Sequence, residues 1–236
     1  SAITDALNEN NFELVNELLH TEGIEAFINE KDGYHYTPLL LACMNEQVEI
    51  VKEIMKIDTV DVNACEYESV TSLHYACMKN NLEIFKELMK RKDLNVNAQA
   101  SFGVGDGRSA IHWACYNGNL EMVQELMKRD DLDINIYSRR CWGTPLQAAL
   151  EGGKIEVVKE LLKREKDLVI VHDPPTRSPV YSCFPTYPAG QQINQEIVDL
   201  VIEKFPPSVS ELKNIISFYE DDIEFVTEMA LAICIA

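Results

Sequence analysis

Four nine-residue stretches of this chain share one pattern of apolar and polar positions: VEIVKEIMK from Val48, LEIFKELMK from Leu82, LEMVQELMK from Leu120 and IEVVKELLK from Ile155. In the first, Val48, Ile50, Val51, Ile54 and Met55 fall on one side of an α-helix, while Glu49, Lys52 and Glu53 are left for water. Each stretch therefore predicts a short amphipathic helix. A second apolar block precedes each of them. TPLLLAC starts at Thr37, TSLHYAC at Thr71, SAIHWAC at Ser109 and TPLQAAL at Thr144, with a weaker copy, SPVYSC, at Ser178. The steps between these starts are 34, 38, 35 and 34 residues. Thr37 is placed to cap a helix, and Pro38 sits where a missing N–H costs nothing. Leu39, Ala42 and Cys43 then form a buried stripe, and Asn45 and Glu46 make the corner into the second helix. DVNA (61–64), NVNA (95–98) and DINI (133–136) carry the chain back to the next turn. The predicted unit is a β-turn followed by two antiparallel helices.

A period near 33 carrying a T-P-L-H-x-A block resembles the ankyrin repeat, and the resemblance extends over residues 2–205, about five to six repeats. It implies an all-α fold, an ankyrin-repeat solenoid of stacked helix-turn-helix units with β-turn fingers. Residues 1–33 are expected to be an N-terminal capping repeat, with Ile3 and Ala6 in the places of Leu39 and Ala42 and with Asp5, Asn8 and Glu9 facing water. Residues 34–165 hold four regular repeats, in which Ala76, Ala114 and Ala148 allow neighbouring helices to approach closely. Residues 166–207 read as a degenerate repeat interrupted by a loop around Pro185 and Pro188, before INQEIVDLVIEKF resumes as an outer helix. Beyond Pro206 and Pro207, residues 208–236 read as C-terminal capping helices.

Composition narrows the functional classes. With 21 Lys and Arg against 39 Asp and Glu, the net charge is −18. That disfavours nucleic acid and anionic membrane surfaces, and a basic partner is the one its field would steer. No apolar run reaches the roughly 18 residues of a membrane span. The chain opens Ser-Ala with no initiator Met and no signal-peptide pattern, so it reads as a fragment or processed form. Three of its seven cysteines, Cys43, Cys77 and Cys115, recur at one repeat position where the family usually carries Ala. They read as small buried hydrophobes, too far apart to pair when repeats are spaced by about 10 Å. With no CxxC pair, the usage points to a reducing, cytoplasmic setting; the nucleus and delivery into a host cell stay open.

Candidate chemistry is sparse. Gly103, Gly105 and Gly107 make a glycine-rich extension before Ser109, but without the Lys and the strand context of a phosphate loop. It reads as a longer finger. His74 with Cys77 and His112 with Cys115 share helix faces. Each His falls on the H of the family block, which implies a structural hydrogen bond between adjacent turns rather than a metal site. Leu40 and Gln147 replace that His in the first and fourth repeats, so the network should be incomplete there. His172, Asp173 and Cys183 lack the motif of a cysteine protease. No cofactor, metal or catalytic residue is expected.

Binding is the function the resemblance implies, on turn tips and on the exposed ends of first helices. Carried onto this chain, the tip positions include Tyr34, His35, Tyr36, Tyr67, Glu68, Val70, Phe102, Arg108, Arg139, Arg140 and Trp142. The helix positions are Met44, Asn45, Met78, Lys79, Tyr116, Asn117 and Glu151. Aromatic residues, Met and Arg are the types enriched at interface cores. The expected function is a non-enzymatic intracellular interaction module, monomeric alone, that grips a partner protein or peptide on a concave face. The alternatives are a scaffold or targeting part of a larger protein or delivered effector, and a Cys-dependent enzyme in the C-terminal region.

Overall fold

The computed structural model describes residues 1–101, 107–138, 143–164, 168 and 195–204. Five helix pairs succeed one another: α1 (Ala2–Asn8) with α2 (Phe12–Leu19), α3 (Pro38–Met44) with α4 (Val48–Ile54), and α5 (Ser72–Met78) with α6 (Leu82–Met89). Then come α7 (Ala110–Asn117) with α8 (Leu120–Met127) and α9 (Pro145–Glu151) with α10 (Ile155–Leu162). A 3₁₀ turn at Ile24–Ala26 follows the first pair, and α11 (Gln195–Lys204) packs beside α10. The described secondary structure is helical, apart from isolated bridges that close the second, third and fourth fingers: Cys65–Thr71, Gln99–Ser109 and Ser138–Gly143. The repeat plan and the all-α solenoid expected from the sequence are what the structure contains.

The inner helices α3, α5, α7 and α9 are seven or eight residues long because both of their ends are fixed locally. At the start, Thr37, Thr71 and Thr144 each accept a hydrogen bond from the backbone N–H three residues on. At the end, the chain turns through one residue of positive φ: Asn10, Glu46, Asn80, Gly118 or Gly153. The N–H of that residue and of the next return to carbonyls of the finishing helix, as in Glu46 to Cys43 and Gln47 to Ala42. The outer helix then starts at once. Asn11, Asn81 and Asn119 cap it through their side chains. Only at Gly118 and Gly153 does the corner use the residue that reaches this conformation without strain; Asn10 and Asn80 reach it at small cost.

Packing is between neighbours. Inner helices touch in order along the row α1, α3, α5, α7 and α9, and each outer helix lies against its own inner helix. One continuous apolar core runs from Ile3 to Val201. Ala76, Ala114 and Ala148 are fully buried where inner helices meet. In α4, Val51 and Ile54 are buried, whereas Val48, Ile50 and the C-cap residue Met55 are only half-buried, so the stripe is narrower than the sequence pattern suggests. Those three flank the stripe at the edges of an outer helix, where the neighbouring repeat gives partial cover. Ile3 and Ala6 are buried and Asp5, Asn8 and Glu9 exposed, as a capping pair requires.

Exposed ion pairs link the outer helices. Lys52 bridges Glu49 at 2.8 Å and Glu83 of the next repeat at 2.7 Å, and Lys159 reaches Glu196 of α11 at 2.6 Å. Gln124 takes the Lys position in α8 and donates to Glu160 at 2.9 Å. Such pairs are screened by salt and add little to stability. Close helix contact through small residues matters more. Ala114→Leu should overpack the stack and cost about 1–3 kcal/mol, read as a lower urea midpoint; a Leu at the exposed Lys128 position should leave that midpoint near its original value.

Candidate functional site

The fingers project from a scaffold of side-chain-to-backbone bonds that run from one repeat to the next. Three asparagines carry the first set. The Asn29 amide donates to the Thr59 carbonyl (2.7 Å) while its oxygen accepts from the Asp61 N–H (2.8 Å). Asn63 does the same with Asp93 and Asn95 at 2.8 and 2.7 Å, and Asn97 with Asp131 and Asp133 at 2.6 and 2.8 Å. Each is one planar amide satisfying a donor and an acceptor of the next return segment. This ladder was not foreseen, although the recurring Asn of DVNA and NVNA was its signal.

The histidines carry the second set. The Thr71 N–H donates to His74 Nδ1 at 3.1 Å, so that nitrogen is unprotonated and the ring proton sits on Nε2, which donates to the Arg108 carbonyl at 3.1 Å. His112 repeats this with Ser109 (3.1 Å) and the Gly143 carbonyl (2.9 Å). Burial holds both imidazoles neutral, down to a pKa of about 4. This is the structural role that the block implied. In the fourth repeat, Gln147 supplies the local half of the arrangement by accepting from the Thr144 N–H at 2.9 Å. Leu40, fully buried, supplies neither half.

Cys43, Cys77 and Cys115 are free, buried thiols. Burial pushes Cys43 up to about 12 and also raises Cys77 and Cys115, which keeps them unreactive at neutral pH. Among the described residues no group of three or more His, Cys, Asp or Glu could hold a metal ion. No helix among them is long and apolar enough to cross a membrane. His172, Asp173 and Cys183 lie outside the described residues.

Of the anticipated surface, Tyr34 (74% exposed), Tyr67 (66%) and Tyr116 (39%) stand in solvent. Lys79 and Glu151 are exposed too, and Met44, Met78, Tyr36 and Arg108 are half-buried. His35 stacks on Tyr67 with ring centroids 4.0 Å apart, joining the first finger to the second. Ser69 and Ser101 share a hydrogen bond of 2.7 Å, joining the second to the third. Carboxylates shape the first two tips: Asp32 accepts from the N–H groups of Tyr34 and Tyr36 at 2.9 Å each, and Glu66 from those of Glu68 and Val70. Two anticipated residues have other work. Asn117 donates to the Cys77 carbonyl at 2.9 Å and ties α7 to α5. Val70, only 3% exposed, turns into the core and does not belong to the surface; it directly precedes the helix cap, where an apolar side chain folds back onto its own helix. Phe102, Arg139, Arg140 and Trp142 fall outside the described residues.

Two half-buried aromatic residues complete the face and were missed: Tyr75 on α5 and Trp113 on α7. Both occupy the fourth position of an inner helix. The guanidinium of Arg108 lies over the Trp113 ring, 4.7 Å from its centroid. Desolvation pushes the Tyr75 phenol up, reinforced by a hydrogen bond with Tyr36 and by the nearby Glu66 and Glu68.

The family model described as ankyrin repeats (3 copies) matches residues 3–100 and 93–172. Among solved structures, the crystal structure of the human ASB11 ankyrin repeat domain is similar with a TM-score of 0.61 and 19% identity, covering 88% of this chain and 85% of that one. At that identity the likeness is one of fold. No curated protein matches the chain.

Because His74 and His112 are neutral when folded and titrate near 6.5 when unfolded, the unfolded state takes up protons first as pH falls. Their contribution to stability is complete above about pH 6.5 and is lost on the way down to about 4. The urea midpoint should drop across this window. A His74→Gln/His112→Gln protein, which copies Gln147, should lose less of its midpoint over the same interval; an identical drop would show that other groups control the acid response.

Proposed function

This chain belongs to the ankyrin-repeat family, whose repeats are generally protein–protein interaction modules, and from that premise we propose that it binds a protein or peptide on the side formed by its fingers and inner helices. The observation that carries the reading is the row of exposed aromatic side chains at Tyr34, Tyr67 and Tyr116 on a scaffold held together by repeat-to-repeat bonds such as those of His74 and His112. A rigid surface presenting Tyr rings pays little entropy on docking, which makes such residues effective anchors. The half-buried Met44 and Met78 extend the row with side chains that adapt to a partner's shape.

In this reading the chain has no catalytic role, in keeping with a fold that is typically a non-catalytic binding module. The charge of −18 favours a partner carrying basic residues. The stack is monomeric alone and works inside the cell, where its free thiols stay reduced.

The test uses peptides selected from a random display library on the intact chain. A Tyr67→Ala/Tyr116→Ala protein should keep its helical circular dichroism and its urea midpoint. It should bind the selected peptides about thirtyfold more weakly, the effect of losing one hot spot of about 2 kcal/mol. If the selected peptides bind the double variant as tightly as the parent, the finger side is not the docking surface.

A further inference from the structure

The first helix pair ends the stack in two different ways. In α1 the residues left in water are Ala2, Asp5 and Asn8, as a terminal layer requires. In α2 they include Leu14, 37% exposed, and the half-buried Leu18, which lie one turn apart on the same helix face. The counterparts of this pair are buried in the later outer helices: Ile84 and Leu88 in α6, Met122 and Leu126 in α8, Val157 and Leu161 in α10. Like those helices, α2 has an outer helix of the following layer beside it, so the cover that Leu14 and Leu18 lack is on the preceding side. The return segment repeats the contrast. Ala26 is exposed where Val60, Leu94 and Leu132 are buried, and the next residue, Phe27, is 53% exposed.

The missing cover is of a defined kind, because the molecule makes the same contact along its length. Lys52 and Lys86, each the fifth residue of an outer helix, reach Glu83 and Glu121, each the second residue of the next. Gln124, also fifth, reaches Glu160, the sixth. An outer helix thus offers its second and sixth residues to the layer before it. In α2 these are Glu13 and Glu17, one turn apart, exposed and without an ion-pair partner. Residues 1–30 hold seven carboxylates and no Lys or Arg, and their one His, His20, reaches Glu53 of the following layer at 4.0 Å. That charge opposes a second copy of the chain, whose own end would bring the same sign. A further layer built like the inner ones is opposed too. Its Asn clasp would need the Phe27 N–H, the counterpart of the Asp61 N–H held by Asn29, but Phe27 donates to the Ile24 carbonyl at 2.9 Å.

We propose that the open face of α2, Leu14 and Leu18 beside Glu13 and Glu17, is a second docking surface, separate from the fingers. It takes an amphipathic helix of a partner protein whose apolar stripe is flanked by Lys or Arg. The stripe covers the two leucines, and the flanking cations meet the two carboxylates, as an outer helix does for its neighbour inside the stack.

The probe is an amphipathic Leu–Lys helix peptide titrated into the intact chain and followed by ¹H–¹⁵N correlation spectra, beside a Leu–Glu peptide of the same apolar pattern. Shifts from the Leu–Lys peptide should concentrate on residues 12–28 and saturate, and the Leu–Glu peptide should produce none. Leu14→Ser should weaken binding about tenfold, as should Glu13→Gln/Glu17→Gln. The substituted side chains are exposed, and the same spectra report whether each variant is folded. Tyr67→Ala/Tyr116→Ala should bind the Leu–Lys peptide as the parent does; a loss there would put the helix on the fingers and overturn the proposal. It is overturned equally if shifts scatter over the whole acidic surface, if the Leu–Glu peptide shifts the same amides, or if folded Leu14→Ser binds as tightly as the parent. Sedimentation supplies the remaining check. A parent that self-associates beside a monomeric Leu14→Ser would make the occupant a second copy, and the partner helix would fall.

Discussion

A helix of seven residues with apolar side chains on two opposite sides cannot bury both against one partner. That is the condition of α3, α5 and α9, and it compels each to be pressed between a preceding and a following copy. Everything regular about the molecule follows. The helices stay short because a Thr cap and a left-handed corner fix both ends, and the contacting residues stay small so that backbones approach. Nothing distant in sequence has to meet, so the chain adds one unit at a time and the core grows lengthwise rather than outward.

Hydrophobic contact alone would let such layers slide. Register is set by polar groups that are costly to leave unpaired. Asn29, Asn63 and Asn97 each clasp the next return segment, and His74 and His112 each hold the carbonyl before the next inner helix. With the finger bases fixed this way, the tips can carry residues chosen for contact. The division of labour is visible within single fingers: Val70 folds inward while Tyr67, three residues earlier, stands in solvent.

Much of this architecture was legible in the sequence, because repetition exposes it. The caps, the corners, the buried thiols and the structural histidines all recur at a fixed offset, and recurrence separates a rule from an accident. The candidate site was less legible, since recognition depends on what does not recur. Tyr75 and Trp113 were passed over because an aromatic residue inside an apolar helix reads as core. Only the structure reveals that these two rings stay half-buried, whereas Leu41 and Ala148 at the same helix position are buried. Val70 was misjudged for the opposite reason: its neighbours are tip residues, and one step along a tight turn reverses the direction of a side chain. Asn117 looked available by position, yet its amide is committed to the Cys77 carbonyl.

The two long sides of the stack are fastened by different means. On the finger side, successive layers are riveted by buried imidazoles and short amide clasps that ionic strength hardly touches. On the outer side apolar packing is supplemented by Lys52 to Glu83, Lys86 to Glu121 and Lys159 to Glu196, ion pairs that reach water. Ionic strength therefore acts unevenly across the width of the stack: it screens the charges along the outer seam and leaves the inner one as it was.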